Sequence, residues 1–226
     1  MRAHELVLAR IEQDLSQGTF AVGDRLPGER ALAEELSVGR SSVREALRVL
    51  EAMGVVRTAA GSGPDAGAVV VADPATSIGS ALRLHVATRF LPIADLVDTR
   101  ILLETWAVRE ATRRHPDLSG VRAMLDAMDD PALSPEQFHR LDAAFHVALT
   151  GLAGNVVVEA MMASLRDSIH EYVMAGVPLL PDWSAVAADL RCEHRGIVEA
   201  VARGHGAKAA DLTQAHIAGY FALIRR

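Results

Sequence analysis

Four side chains set the first chemical question. Asp142 and His146 stand four apart in a stretch that also carries Phe138, Leu141, Phe145 and Leu149. Four residues are about one helical turn, so both polar groups share the face of that apolar stripe and point inward with it. His194 and His216 flank Gly204-His205-Gly206, each roughly ten residues from it. At about 1.5 Å per helical residue both climb roughly 15 Å from the turn, so an antiparallel hairpin sets them level. Three imidazoles and one carboxylate suit a divalent transition metal. Zn²⁺ is the first choice, with Ni²⁺, Mn²⁺ or Fe²⁺ as other occupants, and open positions remain for water or a carboxylate ligand. The bland alternative is a set of ordinary hydrogen-bonded histidines. Of the nine in the chain, His4, His85, His115, His170 and His205 are read that way, while His139, on the face of Asp142, is a reserve ligand. Cys192, beside Glu193, is read as a small core residue rather than a soft ligand.

A second group of residues suits a different partner. Val43, Ala46, Leu47 and Leu50 mark the buried stripe of one helix, and Arg40, Arg44 and Arg48 recur every fourth residue on another face. A helix with arginines in its N-terminal half fits the major groove, where guanidinium pairs with guanine edges or phosphates. Ser41 sits beside the first arginine, and Arg30 opens the preceding helix within reach of backbone or base edges. The alternative is a solvated arginine face with Glu45 and Glu51 as partners. Acidic residues outnumber arginines between Met1 and Ala75, so clustering alone favours nucleic acid.

The elements that must position these groups fall into two sets. Helices are expected from about His4 to Gln17, around Ala31–Leu36, and from Arg40 to Met53, with Gly23–Gly28 as a turn. Val55–Thr58 and Ala68–Val71 read as two strands around the glycine-rich tip 61–67. Three helices and a hairpin make a winged helix-turn-helix over residues 1–73. After Asp73-Pro74 the pattern is helix upon helix: Ser77–Arg89, Ala94–Arg114, Ser119–Met128, Pro135–Thr150, Asn155–Met174, Ser184–Arg203 and Ala207–Ile224. Prolines and glycines punctuate them. The fold class is therefore mostly α, with an N-terminal winged helix-turn-helix and, over residues 77–226, a C-terminal all-α bundle of about seven helices.

Bulk properties agree with this division. The 226 residues are 50% hydrophobic and 23% charged, so a packed core is expected; 4% aromatics favour packed helices over a β-sandwich. A net charge of -6 excludes a wholly basic nucleic-acid coat and confines DNA contact to a local patch. The single cysteine excludes an internal disulfide and a cysteine-rich zinc module. Charged residues interrupt the first twenty positions, and there is no run of 18 apolar residues, so neither a signal peptide nor a membrane span is expected. The expected location is the cytoplasm.

The run Leu26-Pro27-Gly28-Glu29-Arg30-Ala31-Leu32-Ala33, then Val38-Gly39-Arg40-Ser41-Ser42-Val43-Arg44-Glu45-Ala46-Leu47, then Leu50 and Gly54, resembles the DNA-binding domain of GntR-family bacterial regulators. The resemblance covers about residues 5–72. It implies DNA contacts from Arg30, Arg40, Ser41 and Arg44, and a minor-groove contact from the wing glycine Gly61. Gly39 departs from the usual Ser or Thr, a change that a helix N-cap tolerates. Asp142-x-x-x-His146, Gly154-Asn155, Glu193-His194 and His216 resemble the FadR subfamily, whose FCD ligand-binding domain commonly holds a divalent metal on one Asp and three His. Arg100 and Glu104 match a further feature of that domain. The resemblance implies Arg100 and Asn155 as effector contacts, although Arg100 has a salt bridge to Glu104 as its alternative role.

The combined expectation is a transcription regulator, most simply a repressor, that is not an enzyme. Its partners would be a palindromic double-stranded DNA operator, a second copy of itself as homodimer, and a small organic, sugar or amino acid effector. Three other readings remain: a helical metal-dependent enzyme with an accessory DNA head, a fatty acyl-CoA-type sensor, and a DNA-binding protein in which the metal only braces the fold.

Overall fold

A computed structural model describes residues 2–59 and 67–225, apart from the side chain of Asp167. The chain divides into two compact units, Met1–Ile78 and Gly79–Arg226. The expected boundary lay a few residues earlier; the division falls inside a helix, so no loop marks it.

In the first unit, α1 (Ala3–Ser16), α2 (Glu29–Glu35) and α3 (Arg40–Ala52) precede an antiparallel pair, β1 (Val56–Ala59) and β2 (Gly67–Val70). Val7 and Ile11 of α1 meet Leu32 of α2, the Val43, Ala46, Leu47 and Leu50 stripe of α3, and Val56 and Val70 of the strands. The 3.6-residue periodicity of α3 therefore buries the stripe that the sequence indicates and leaves its arginines outside. The stretch read as a turn does more than turn. Asp24–Leu26 lies along the free edge of β2, with Leu26 N–H donating to Ala68 and Val70 N–H donating to Asp24, at 2.9 and 2.8 Å. Such a pairing is set by distant backbone groups and leaves no local periodicity to read.

In the second unit, α4 (Pro74–Ala87), α5 (Ile93–Arg114), α6 (Ser119–Met128), α7 (Pro135–Gly151), α8 (Val156–Gly176), α9 (Trp183–Ala202) and α10 (Gly206–Ile224) form the expected bundle, and α4 carries the chain across from the first unit. Local chemistry fixes the ends. Pro74 opens α4 three residues before the expected start, because the N–H that proline lacks would be unpaired there anyway. Ser134 caps α7 in a reciprocal box with Gln137, followed by Pro135. Asp182 accepts from the Ala185 N–H and opens α9. His115 takes a left-handed φ of 48° and Pro116 follows, which ends α5. The core joins Phe138, Phe145 and Leu149 of α7 to Ile197, Val198 and Val201 of α9, Ala209 and Ala210 of α10, and Val108 and Ala111 of α5. Gly206 lets α10 start tight against α5: a Cβ there would meet Thr112 Oγ1 at 2.7 Å. Among the described residues, no helix is long and apolar enough to cross a membrane.

Gly54 provides the turn between α3 and β1 at φ +69°, and a Cβ there would overlap the Asp73 carbonyl. Left-handed backbone costs an L-residue about 1–2 kcal/mol before any overlap is counted. Gly54→Ala is therefore expected to lower the stability of the N-terminal unit by at least about that amount. Urea unfolding of the full chain, followed through that unit, checks this, and an unchanged midpoint contradicts it.

Candidate metal centre and nucleic-acid interface

Asp142 and His146 of α7, His194 of α9 and His216 of α10 come together as the spacing requires. Their ligating atoms all lie within 4.8 Å of one another. The three imidazoles present the same nitrogen. His146 Nε2 and His194 Nε2 each lie 3.2 Å from His216 Nε2, and His194 Nε2 is 3.1 Å from Asp142 Oδ1. The His146, His194 and His216 side chains are buried, and Phe145 packs its ring against those of His146 and His194.

The nitrogens on the far sides explain this orientation. His146 Nδ1–H donates to Glu104 Oε2 at 2.6 Å, and His216 Nδ1–H donates to Glu193 Oε2 at 2.7 Å. A carboxylate only accepts, so both imidazoles carry their proton on Nδ1 and turn a lone pair inward at Nε2. Two inward lone pairs and the Asp142 carboxylate meet at one point, where a cation would be attracted. The donor set therefore fits a divalent metal: nitrogen and oxygen donors, inward-facing, with second partners that fix the tautomer. His194 is the exception. Among the described residues, its Nδ1 is the one buried side-chain nitrogen or oxygen without a hydrogen-bond partner.

Electrostatics support the same assignment. Burial lowers the pKa of His194 despite its bond to Asp142, and burial together with the neighbouring His194 and His146 holds His216 well below the ordinary range. Burial is the largest influence on His146 and opposes its proton, but the charges of Glu104 and Asp142 together outweigh it and the net shift is upward. For Asp142, burial favours the acid form, yet His146 and His194 hold the carboxyl well below its usual range. Two imidazoles and a carboxylate are thus kept in the forms that ligate a metal.

Glu104 is the residue that links this cluster to the rest of the bundle. Fully buried on α5, it accepts from Arg100 Nε at 2.5 Å and from His146. Burial would raise its pKa, but Arg100 and His146 bring it down to about 2. Arg100 and Asp142 border a small cavity between α5, α7 and α8 that also touches His139, Arg166 and His170. His139, the reserve ligand, is not in the cluster of four. It pairs with the Tyr220 hydroxyl at 2.8 Å and stacks near Trp183.

Two expectations change. Asn155 is not brought to this cavity; it caps α8, where its carbonyl accepts from the Val157 and Val158 N–H groups. That cap follows from Gly154-Asn155 standing at the helix start. Cys192 is exposed rather than buried, because it lies two residues before the inward His194 and so on the outer face of α9. Sequence reasoning named Glu193 only within a motif, without its bond to His216, and read His170 as an ordinary solvated or hydrogen-bonded histidine. The i,i+4 spacing of Arg166 and His170 was the available signal for the latter.

In the first unit, Arg30, Arg40 and Arg44 line one recess of about 500 Å³ together with Thr58 and Ala59 of β1 and Gly67 and Ala68 of β2. Ser41 is exposed at the first turn of α3. The acidic partner of the arginines is not Glu45 or Glu51. Glu29, at the start of α2, accepts from Arg44 Nε at 2.9 and 3.1 Å and lies 3.7 Å from Arg40. Glu45 approaches His4, and Glu51 accepts from Thr58. Glu29 thus gathers two arginines at the mouth of the recess. Gly61 lies outside the described residues.

Comparison with known proteins matches residues 4–64 to bacterial regulatory proteins of the gntR family and residues 95–219 to the FCD domain. The chain is 31% identical over 226 residues to "HTH-type transcriptional repressor NanR" of Cronobacter sakazakii, covering 96% of this chain and 84% of that protein. It is 29% identical to "HTH-type transcriptional regulator LutR" of Bacillus subtilis, over 92% of this chain and 97% of the other. Among solved structures, Streptococcus agalactiae GntR aligns with a TM-score of 0.68 and 25% identity, covering 96% of this chain and 97% of that one.

Removing one member of a buried ion pair typically costs about 3–5 kcal/mol. Glu104→Ala, which strands both Arg100 and His146, is expected to destabilise the helical unit by that order. The pH dependence has a definite sign. The Glu104 carboxyl falls from 4.5 to about 2 on folding, so its contribution is present above 4.5 and is lost as pH falls toward about 2. Melting curves in that acid window should fall more steeply for the wild type than for Glu104→Gln. Parallel curves contradict the assigned role.

Proposed function

Since this chain belongs to the gntR family of bacterial regulatory proteins and carries an FCD domain, we propose that its DNA binding is set by a small carboxylate ligand held at a metal-centred pocket. The chain is a DNA-binding transcription regulator and not an enzyme, as the family and its named relatives are. The observation that carries the sensing half is the convergence of Asp142, His146, His194 and His216 beside the cavity lined by Arg100.

In this reading those four residues hold one divalent transition metal, with zinc the best fit to a set of three imidazoles and a carboxylate. When bound, the metal supplies a fixed positive charge and open coordination positions for a carboxylate oxygen. Glu104 and Glu193 keep His146 and His216 in the ligating tautomer. Arg100 offers a planar guanidinium at the cavity wall, oriented by its bond to Glu104. Salt bridging to Glu104 and effector anchoring are thus compatible roles for one side chain. The cluster is polar and charged, which disfavours an acyl-CoA tail there.

The N-terminal unit reads DNA with α3 in the major groove. Arg40 and Arg44 contact base edges or phosphates, Arg30 and Ser41 contact the backbone nearby, and the wing with Gly61 approaches the minor groove. A homodimer matches a palindromic operator by two-fold symmetry. Repression, relieved in the cytoplasm by a small organic, sugar or amino acid, is the simplest scheme. The ligand acts only through a difference in its affinity for the DNA-competent and DNA-incompetent states.

Two results are expected. Arg44→Ala should weaken operator binding by about 1–3 kcal/mol if it reads a base, or equally for all sequences with a shallower salt slope if it reads phosphate. Electrophoretic mobility shifts across salt concentrations separate the two, and unchanged binding contradicts the interface. Second, an acid that shifts operator affinity of the metal-loaded protein should lose that effect after chelation. A shift of equal size without metal contradicts the metal-centred pocket.

A further inference from the structure

Glu29 is the one acidic side chain among the described residues that line the recess of the first unit, beside Arg30, Arg40 and Arg44. A carboxylate facing DNA is repelled by the phosphates, so on its own it weakens binding to every sequence. Its place at the first position of α2, where the helix dipole favours negative charge, accounts for an acid there. It does not account for the bonds that the acid makes. Both carboxylate oxygens accept from Arg44 Nε, at 2.9 and 3.1 Å, across fifteen residues of chain, and Oε2 lies 3.7 Å from Arg40 Nη2. Arg30, by contrast, meets only the exposed Glu34 of its own helix, at 3.6 Å.

The chemistry of the pair says what it does. An arginine on an exposed helix face has a long stem and reaches phosphates and base edges alike. Phosphate contact carries no sequence information, whereas a base contact does. A guanidinium is a rigid plane with several N–H donors, and only the correct plane sets two of them parallel to guanine O6 and N7. With Nε–H donated to Glu29, that plane is fixed from the protein side and the other edges of the guanidinium remain for a base. Both side chains are partly exposed in the free protein, where such a pair contributes little to stability. Once DNA covers the recess and water leaves, the same bonds strengthen.

We infer that Glu29 sets the sequence specificity of the DNA reader: it holds the Arg44 guanidinium in the plane that pairs with a guanine edge, and its charge weakens contact with DNA of other sequences. Glu29 is thus a positioning residue that acts through Arg44. The inference rests on the placement of α3 in the major groove proposed above, and it commits Arg44 to a base rather than a phosphate.

Binding to two duplexes tests it. The wild-type full chain selects the first from a pool whose randomised core spans about 20 base pairs, two helical turns. The second is the same duplex with its core shuffled. Fluorescence anisotropy at fixed salt gives the ratio of the two affinities, which measures specificity. Glu29→Ala is expected to lower that ratio by at least about tenfold, the discrimination that one bidentate guanine contact supplies. The shuffled duplex should bind the variant at least as tightly as the wild type, since a charge that repels phosphate is gone. A damaged fold would weaken both duplexes instead. Arg44→Ala should lower the ratio by a similar factor, and Glu29→Ala/Arg44→Ala should stay within about twofold of Arg44→Ala. An unchanged ratio in Glu29→Ala, beside a fall in Arg44→Ala, overturns the inference while the placement of α3 stands. An unchanged ratio in Arg44→Ala overturns both. A further fall of about tenfold in the double variant overturns the route through Arg44. Should Glu29→Ala bind neither duplex, Glu29→Gln, which keeps the shape and removes the charge, is read against the same outcomes.

Discussion

The second unit is organised around a convergence of donor atoms. Lone pairs of His146 and His216 turn toward the Asp142 carboxylate in a buried place, with His194 beside them, and positive charge at that point would stabilise the arrangement. Everything near it serves to keep the lone pairs turned inward. Glu104 and Glu193 hold the outward nitrogens of His146 and His216, Phe145 walls the rings, and Arg100 balances the charge of Glu104. The acids therefore have two distinct duties: Asp142 faces the centre, while Glu104 and Glu193 face it only through an imidazole. His194 lacks such an outer partner. Its orientation comes from packing and from Asp142.

The long reach of this arrangement explains why the bundle is built as it is. The four candidate ligands come from α7, α9 and α10, and buried support for His146 comes from Glu104 of α5. Gly206 seats the start of α10 against α5 at Thr112. On the proposed reading, an acid entering beside Arg100 shifts the charge balance there, and the operator-binding unit feels it as a change in the populations of two states.

The sequence makes much of this legible. Asp142 and His146 were readable because helical period 3.6 places i and i+4 together, and His194 and His216 because equal distance from one turn sets them level. The seven-helix bundle was readable from apolar stripes cut by Pro and Gly. What stayed hidden depends on packing between elements far apart in the chain. Glu104 was visible only as a neighbour of Arg100, since nothing local shows that α5 lies behind His146. Glu29 gathers Arg40 and Arg44 from another helix, a pairing that no i,i+4 rule finds. Asn155 shows the opposite case: its side chain makes a local contact, the cap at the start of α8, which the Gly154-Asn155 pair already indicates. Cys192 faces outward because it stands two residues before the inward His194, about 200° round the helix axis.

The claim on which the sensing account stands is that these four residues hold a metal. The direct measurement is the metal content of the purified chain by mass spectrometry, beside His146→Ala/His194→Ala in the same preparation, with circular dichroism as the check on folding. The account predicts about one transition-metal ion per wild-type chain and loss of it in the variant, as a four-ligand site requires. No metal above background in a folded wild type that has been offered zinc would contradict it, and would leave the DNA-binding half to stand alone.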